Sequence, residues 1–337
     1  MTELSREVLQ NWEVRKSKQQ KEDFRGWLCR QLEAAGYAPQ VEKHKTLWTS
    51  HNVVAGDPDK AKVLLTAHYD TCAVLPFPNF ITPRNLFWYL AYQLVLCVVI
   101  FLAAAAIAWA LKMLMICVAA GLVIMDVIDG PVSSGWEIYT APLRYYLALL
   151  VCFWWMLDGK ANRHTANDNT SGTVTLLEIA LSLPQDLRED VCFVWFDNEE
   201  RGLLGSGAFA AKYKKTAKTA LVINFDCVGD GDFLHFFPDK RVKKTDIPQL
   251  LEESYLAAGE KTVEVVRGFG FYPSDQAKFH RGVGVCALKK SPVCGYYMDK
   301  IHTRRDTVLD EENVALLCSG TVRLLRAQKE KEETYAK

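Results

Sequence analysis

Five residues of metal-ligating type, His68, Asp168, Glu200, Asp226 and His302, are spread over more than two-thirds of a 337-residue chain. Each ends a short apolar run or sits in a turn marked by Gly or Asn. Imidazoles and carboxylates without a thiolate suit a hydrolytic divalent ion such as Zn²⁺ rather than a structural zinc knuckle. The chemistry they point to is a metal-activated water attacking a carbonyl.

Each motif is weak alone. In A-H-Y-D-T at 67–71, period-2 geometry puts His68 and Asp70 on one side of a strand exit. Asp70 is then placed to accept the second imidazole N–H and fix its tautomer. Taken alone, H-x-D reads as a satisfied surface or core pair before it reads as a ligand. Asp168 in N-D-N-T-S-G, 167–172, reads in isolation as a turn or helix-capping residue. The stretch F-D-N-E-E-R-G-L-L-G-S, 196–206, follows a strand and carries adjacent Glu199 and Glu200. Two close carboxylates raise one another's pKa unless a cation is near. A divalent ion relieves one and leaves the other free as a general base. Asp226 ends a strand in N-F-D-C-V-G, and His302 lies in I-H-T-R-R-D-T before the last helix. In this order, at these strand ends, the set is specific.

The elements that must position these residues follow from periodicity. A helix is expected over 5–35, extended chain over 37–55, and buried strands over Val63–Ala67, Val191–Phe196, Leu221–Phe225 and Val283–Leu288. Helices are expected over Thr173–Leu183 and near 205–214, 246–258, 274–281 and 311–328. Strands alternating with helices imply a three-layer α/β/α sandwich around a mixed, mostly parallel sheet, with ligands at its carboxyl edge.

An apolar insert interrupts this pattern. Leu86–Leu111 has no charged residue and is long enough to cross a bilayer. After Lys112 come two shorter apolar stretches, Met113–Met125 and Tyr145–Leu157. If His68 and Asp168 share a site, the insert crosses an even number of times. Either 86–125 forms a hairpin near Lys112, or the first run pairs with Tyr145–Leu157. Arg84, Lys160 and Arg163 flank the insert and favour both stems inside. The expected division is a discontinuous catalytic domain, 1–75 and 160–337, around a membrane insert, 76–159. The expected location is a multi-pass cell-membrane protein with its catalytic domain facing the cytoplasm. The bilayer would be met through 86–125, with 145–157 as a further candidate.

Residues 40–75 and 160–325 resemble the co-catalytic di-zinc aminopeptidases, whose relatives include glutamate carboxypeptidase and glutaminyl cyclase. N-V-V-A-G-D-P before the first buried strand and P-S-D-Q-A-K-F at 273–279 share the likeness. The resemblance implies two Zn²⁺ ions bridged by Asp168. Glu200 and His302 would complete one site, His68 and Asp226 the other. It implies Glu199 as general base and then acid, Asp70 as the orienter of His68, and Tyr272 as a candidate oxyanion donor. The implied activity is release of N-terminal residues from short peptides. The chain departs from the pattern in its long insert, in Gln276 where the family often has His, and in a start that lacks a signal peptide's apolar centre.

The formal net charge of +0 argues against a nucleic-acid surface. Ten cysteines without a C-x-x-C pair read as free thiols in a reducing compartment. Three alternatives stay open. These are a single-zinc glutaminyl cyclase, a catalytically silent membrane receptor or scaffold, and an enzyme whose insert is a soluble lid or dimer surface.

Overall fold

Trp12, Phe24 and Trp27 draw the first helices together as an aromatic cluster, with ring centroids 5.6–6.5 Å apart. The computed structural model describes residues 2–123 and 135–336. Its N-terminal region is two helices, α1 (Glu3–Asn11) and α2 (Lys18–Ala34), where one helix was expected. The break has a local cause. Ser17 and Gln20 form a capping box that starts α2 afresh, and the buried Arg15 side chain turns back onto the carbonyl of Trp12.

The chain continues through β1 (Gln40–Lys45), β2 (Thr49–Ala55) and β3 (Val63–His68) into the insert helices α3 (Leu86–Val123) and α4 (Gly135–Asp158). It returns through α5 (Gly172–Ser182), β4 (Val191–Phe196), α6 (Leu204–Lys212), α7 (Lys214–Thr219), β5 (Leu221–Phe225) and β6 (Phe233–Pro238). α8 (Ile247–Leu256), β7 (Thr262–Val265), β8 (Gly282–Ser291), β9 (Gly295–Tyr297) and α9 (Glu311–Ala336) complete it. β6, β7 and β9 were not expected, and the helix expected over 274–281 is only a 3₁₀ turn, Asp275–Lys278, before β8 begins.

The strands form one mixed sheet in the order β1-β2-β4-β3-β5-β8-β6-β7, with β9 on β8. Its centre, β4-β3-β5-β8, is parallel. β3, β4 and β5 are buried at every position, as befits strands covered on both faces. Alternate side chains feed two cores. Leu65, Phe193 and Ile223 join α1, α2, α5 and α9 on one face, while Leu64, Val194 and Val222 meet Phe209 and Ala217 of α6 and α7 on the other.

The chain divides into two compact units, Met1–Leu86 with Ala161–Lys337, and Phe87–Lys160. The segment before the insert belongs to the first unit. Leu75 N–H donates to the His302 carbonyl at 2.8 Å, Phe271 N–H to the Pro83 carbonyl at 2.8 Å, and Ile81 bridges Met298.

In the second unit, α3 runs unbroken through Lys112, so no turn lies there and the tight hairpin over 86–125 is not formed. The end of that hairpin, Ile124 and Met125, lies outside the described residues. Leu86–Met115 and Tyr139–Asp158 are both long and apolar enough to cross a membrane. Leu94, Leu102, Trp109 and Trp154 are each more than 60% exposed, which separates these helices from buried core helices of similar composition.

Candidate metal centre

Strand register levels the ligand positions. His68 pairs with Phe196 across β3 and β4, and Thr66 with Asn224 across β3 and β5. Residues one to four beyond the ends of β4 and β5 therefore converge on His68, at the carboxyl edge of the parallel strands. Asp168 arrives from Ala166–Ser171, a wide turn leading into α5 whose backbone is extended at Asp168. His302 comes from the loop before α9 with a left-handed backbone, φ 58°.

All five expected ligands meet. His68 Nε2 lies 3.4 Å from Asp168 Oδ1 and 3.5 Å from Asp226 Oδ1. His302 Nε2 lies 2.9 Å from Asp168 Oδ2 and 3.3 Å from Glu200 Oε2. Asp168 thus faces both histidines, one oxygen to each. Glu199 groups with His68 and Glu200, and Cys72 joins Asp168, Glu200 and His302. No signal in the sequence singled out Cys72.

Two buried carboxylates hold the ligand loops by their backbones. Asp306 Oδ1 and Oδ2 accept the N–H groups of Asn167 and Asp168 at 2.7 and 3.0 Å. Asp70 Oδ1 and Oδ2 accept those of Glu199 and Glu200 at 3.0 and 3.3 Å. Asp70 thus anchors the Glu199–Glu200 loop, a contact that the sequence did not lead us to expect. His68 Nδ1 is 3.1 Å from the Asp70 backbone carbonyl and 3.6 Å from its carboxylate. Asn169 joins the strand ends, with Nδ2 reaching the carbonyls of His68 and Phe225 and Oδ1 receiving Gly172 and Cys227 N–H. A Cβ at Gly172 would stand 2.2 Å from the Phe225 carbonyl, so only glycine lets α5 start this close.

Buried Arg15 braces the cluster from below, donating to Thr170 Oγ1 at 3.1 Å while its backbone N–H donates to Thr71. Sequence patterning could not single out Asp306, Asn169 or Arg15, since the partners that bring them to the centre, Asn167 and Asp168, His68 and Phe225, and Thr71 and Thr170, lie more than fifty residues away. The nearest clue was the density of Asn and Asp around 167–169 and at 306.

The electrostatics are those of a site built for cations. Burial pushes Glu200 up to about 8 despite His302, with Asp168 adding to the rise. Burial also carries Glu199 well above the usual carboxylate range. Burial opposes charge on His302, yet Glu200 and Asp168 lift it to about 9. Asp168 is held low against burial by the two histidines. Glu200 Oε1 is buried with no hydrogen-bond partner. Imidazoles and carboxylates aimed at shared points, one oxygen unsatisfied, fit bound divalent metal.

Tyr272 is near but engaged. Its hydroxyl donates to the Asp226 carbonyl at 3.0 Å, and its ring stacks on Phe237 at 5.5 Å. Gln276 links Tyr272 and Asn224 through its side-chain amide.

Comparison with known proteins finds the following likenesses. Residues 156–318 match the model of peptidase family M28. A probable leucine aminopeptidase of Arthroderma otae is 28% identical over 158 residues, 44% of this chain and 43% of that protein. The chain thus matches less than half the length of that relative. A glutaminyl cyclase of Porphyromonas gingivalis superposes with a TM-score of 0.58 at 17% identity, covering 96% of both chains. A Zn-dependent exopeptidase of Parabacteroides distasonis gives a TM-score of 0.55 at 14% identity, covering 96% of this chain and 94% of its own. At these identities the likeness to solved structures establishes the fold.

Proposed function

We propose, from the premise that this chain carries a peptidase family M28 domain, that it is a membrane-attached zinc aminopeptidase acting on short peptides. The observation that carries this reading is Asp168 facing His68 and His302, each histidine with a second carboxylate, Asp226 and Glu200. In this reading His68, Asp168, Asp226, Glu200 and His302 would hold two Zn²⁺ ions, with Asp168 shared between them. Bound zinc supplies Lewis-acid polarisation of the scissile carbonyl and lowers the pKa of water.

The protein's own residues do the rest. Glu199, its affinity for protons raised by burial, takes a proton from the attacking water and returns it to the leaving amine. Asp70 fixes Glu199 and Glu200 through their backbone amides, and its carbonyl faces His68 Nδ1. Tyr272, bonded to the Asp226 carbonyl, serves this reading better as a brace for Asp226. It reaches a substrate oxyanion only by giving up that bond.

Membrane attachment rests on the two exposed apolar helices, Leu86–Met115 and Tyr139–Asp158. Two crossings return Asp168 to the side of His68. Arg84, Lys160 and Arg163 at the stems favour the cytoplasmic side.

A second reading, a single-zinc glutaminyl cyclase, is favoured by the Porphyromonas gingivalis likeness. The complete His68–Asp168–Asp226 group weighs against it. The deciding experiment is a peptide-library digest by purified, zinc-loaded full chain, with zinc counted per chain. Amino-acid release from unblocked N-termini with two zincs supports the aminopeptidase. One zinc with cyclisation of N-terminal Gln overturns it.

A further inference from the structure

Cys72 is set into the ligand cluster by the fold. Its Sγ, a His302 nitrogen and one oxygen each of Asp168 and Glu200 all lie within 4.8 Å of one another. Tetrahedral ligands at zinc distances sit about 3.5 Å apart, so side-chain shifts of roughly an ångström bring these four onto one ion. Cys72 is 2% exposed. Its backbone is pinned on both sides, the carbonyl accepting Asn162 N–H at 3.2 Å and the adjacent Ala73 bridging Ala161.

Asn162 Nδ2 donates to the carbonyls of His164 at 2.6 Å and of Thr303, next to His302, at 2.9 Å, and lies 3.9 Å from Cys72 Sγ. Through this amide Asn162 holds the His302 loop beside Cys72, as outer groups commonly orient metal ligands. Cys227 offers the contrast. It also lies beside the centre, but its thiol donates to Asp226 Oδ1 at 3.1 Å, which keeps its proton in use. Independently of the sulfur, Glu200 Oε1 in the Cys72 group is buried and unpartnered.

We propose that Cys72 is a thiolate ligand of the ion held by Asp168, Glu200 and His302. This rests on the metal-centre reading above. The thiol proton leaves to solvent as the sulfur–metal bond forms. The two positions are then unequal. His68, Asp226 and Asp168 offer nitrogen and oxygen alone, while the Cys72 position has one soft donor and selects Zn²⁺, Co²⁺ or Cd²⁺ over Mn²⁺ or Mg²⁺.

The test is the electronic spectrum of the detergent-solubilised full chain loaded with Co²⁺, beside Cys72→Ser at equal bound cobalt. A sulfur-to-cobalt charge-transfer band in the near ultraviolet, lost in Cys72→Ser, is the expected result. A protein that holds cobalt without the band, or a variant that keeps it, overturns the Cys72 assignment and leaves the aminopeptidase reading standing. A protein that retains no cobalt overturns both. Should Cys72→Ser fail to fold, cadmium NMR of the unaltered chain reads the same ligand. One resonance in the thiolate range supports the proposal, and only oxygen–nitrogen resonances overturn it.

Discussion

Asp306 holds Asp168 by its backbone, not its side chain: Asp306 Oδ2 accepts the Asp168 N–H at 3.0 Å, while Oδ1 accepts that of Asn167 at 2.7 Å. Asp70 treats Glu199 and Glu200 the same way. The fold thus uses one device twice, a buried carboxylate spanning two consecutive amides of a ligand-bearing loop. Asp306→Asn keeps the size but replaces one acceptor with a donor that faces an N–H. Metal affinity should fall about 10- to 100-fold, the usual effect of losing an outer partner. Zinc titration against a competing chelator measures this, and unchanged affinity would remove Asp306 from the site's framework.

Glu199 and Glu200 are neighbours with different expected roles, and substitution should separate them. Glu199→Ala should lower kcat by at least about 10²- to 10⁴-fold, the range for a general base, with zinc per chain unchanged. Glu200→Ala should lose zinc as well as activity. Metal analysis beside kinetics on both variants tests the division. Full activity in Glu199→Ala would refute its role.

The parallel core and the ligand-bearing strand ends were legible because β3, β4 and β5 are short, mostly apolar runs and ligand type survives without structure. β4 and β5 match their expected bounds residue for residue. What was not legible depends on long-range partners. β6 carries His235 and ends in Pro238, a residue that argues against a strand, and β7 alternates Val with Thr and Glu over only four residues, Thr262–Val265. The break between α1 and α2 has a local signal in the Ser17–Gln20 capping box, but Arg15, buried at the break, is held by Thr71 and Thr170, 56 and 155 residues away. Cys72 looked like one free thiol among ten. Long-range contacts bring it to the His302 loop: Asn162 N–H on its carbonyl, Ala73 against Ala161, and Leu75 N–H on the His302 carbonyl.

The metal-free site stores protons, which sets a pH dependence with a definite sign. Burial, countered by His302 and reinforced by Asp168, lifts Glu200 to about 8, and Glu200 and Asp168 lift His302 to about 9 against burial. Unfolded, these groups titrate near ~4.3 and ~6.5. Both folded values are raised, so their contribution to stability is full below the unfolded values. It is lost as pH rises through about 8 for Glu200 and about 9 for His302. The metal-free protein should therefore melt lower at the alkaline end of this window. Metal must displace the same protons, so zinc affinity should rise over that window. Calorimetric zinc titrations in buffers of different ionisation enthalpy should show net proton release near neutrality. Binding without proton release would contradict the protonated metal-free site.

The insert should be removable without dismantling the centre. Its stems belong to the first unit: Asn162 N–H donates to the Cys72 carbonyl, Ala73 bridges Ala161, and Asn85 Nδ2 donates to the Cys294 carbonyl at 3.3 Å. Every expected ligand lies outside Phe87–Lys160, the second unit. A chain with 87–160 replaced by a short flexible linker should appear in the soluble fraction, whereas the full chain should pellet with membranes and need detergent. The shortened protein should bind zinc at the full-length stoichiometry, because Asp168 is placed by Asp306, Asn167 and Asn169 rather than by α3 or α4. If the full chain is soluble without detergent, the apolar helices are a lid or an association surface. If the shortened chain folds but holds no zinc, α3 and α4 shape the centre itself, and the separation of anchoring from catalysis fails.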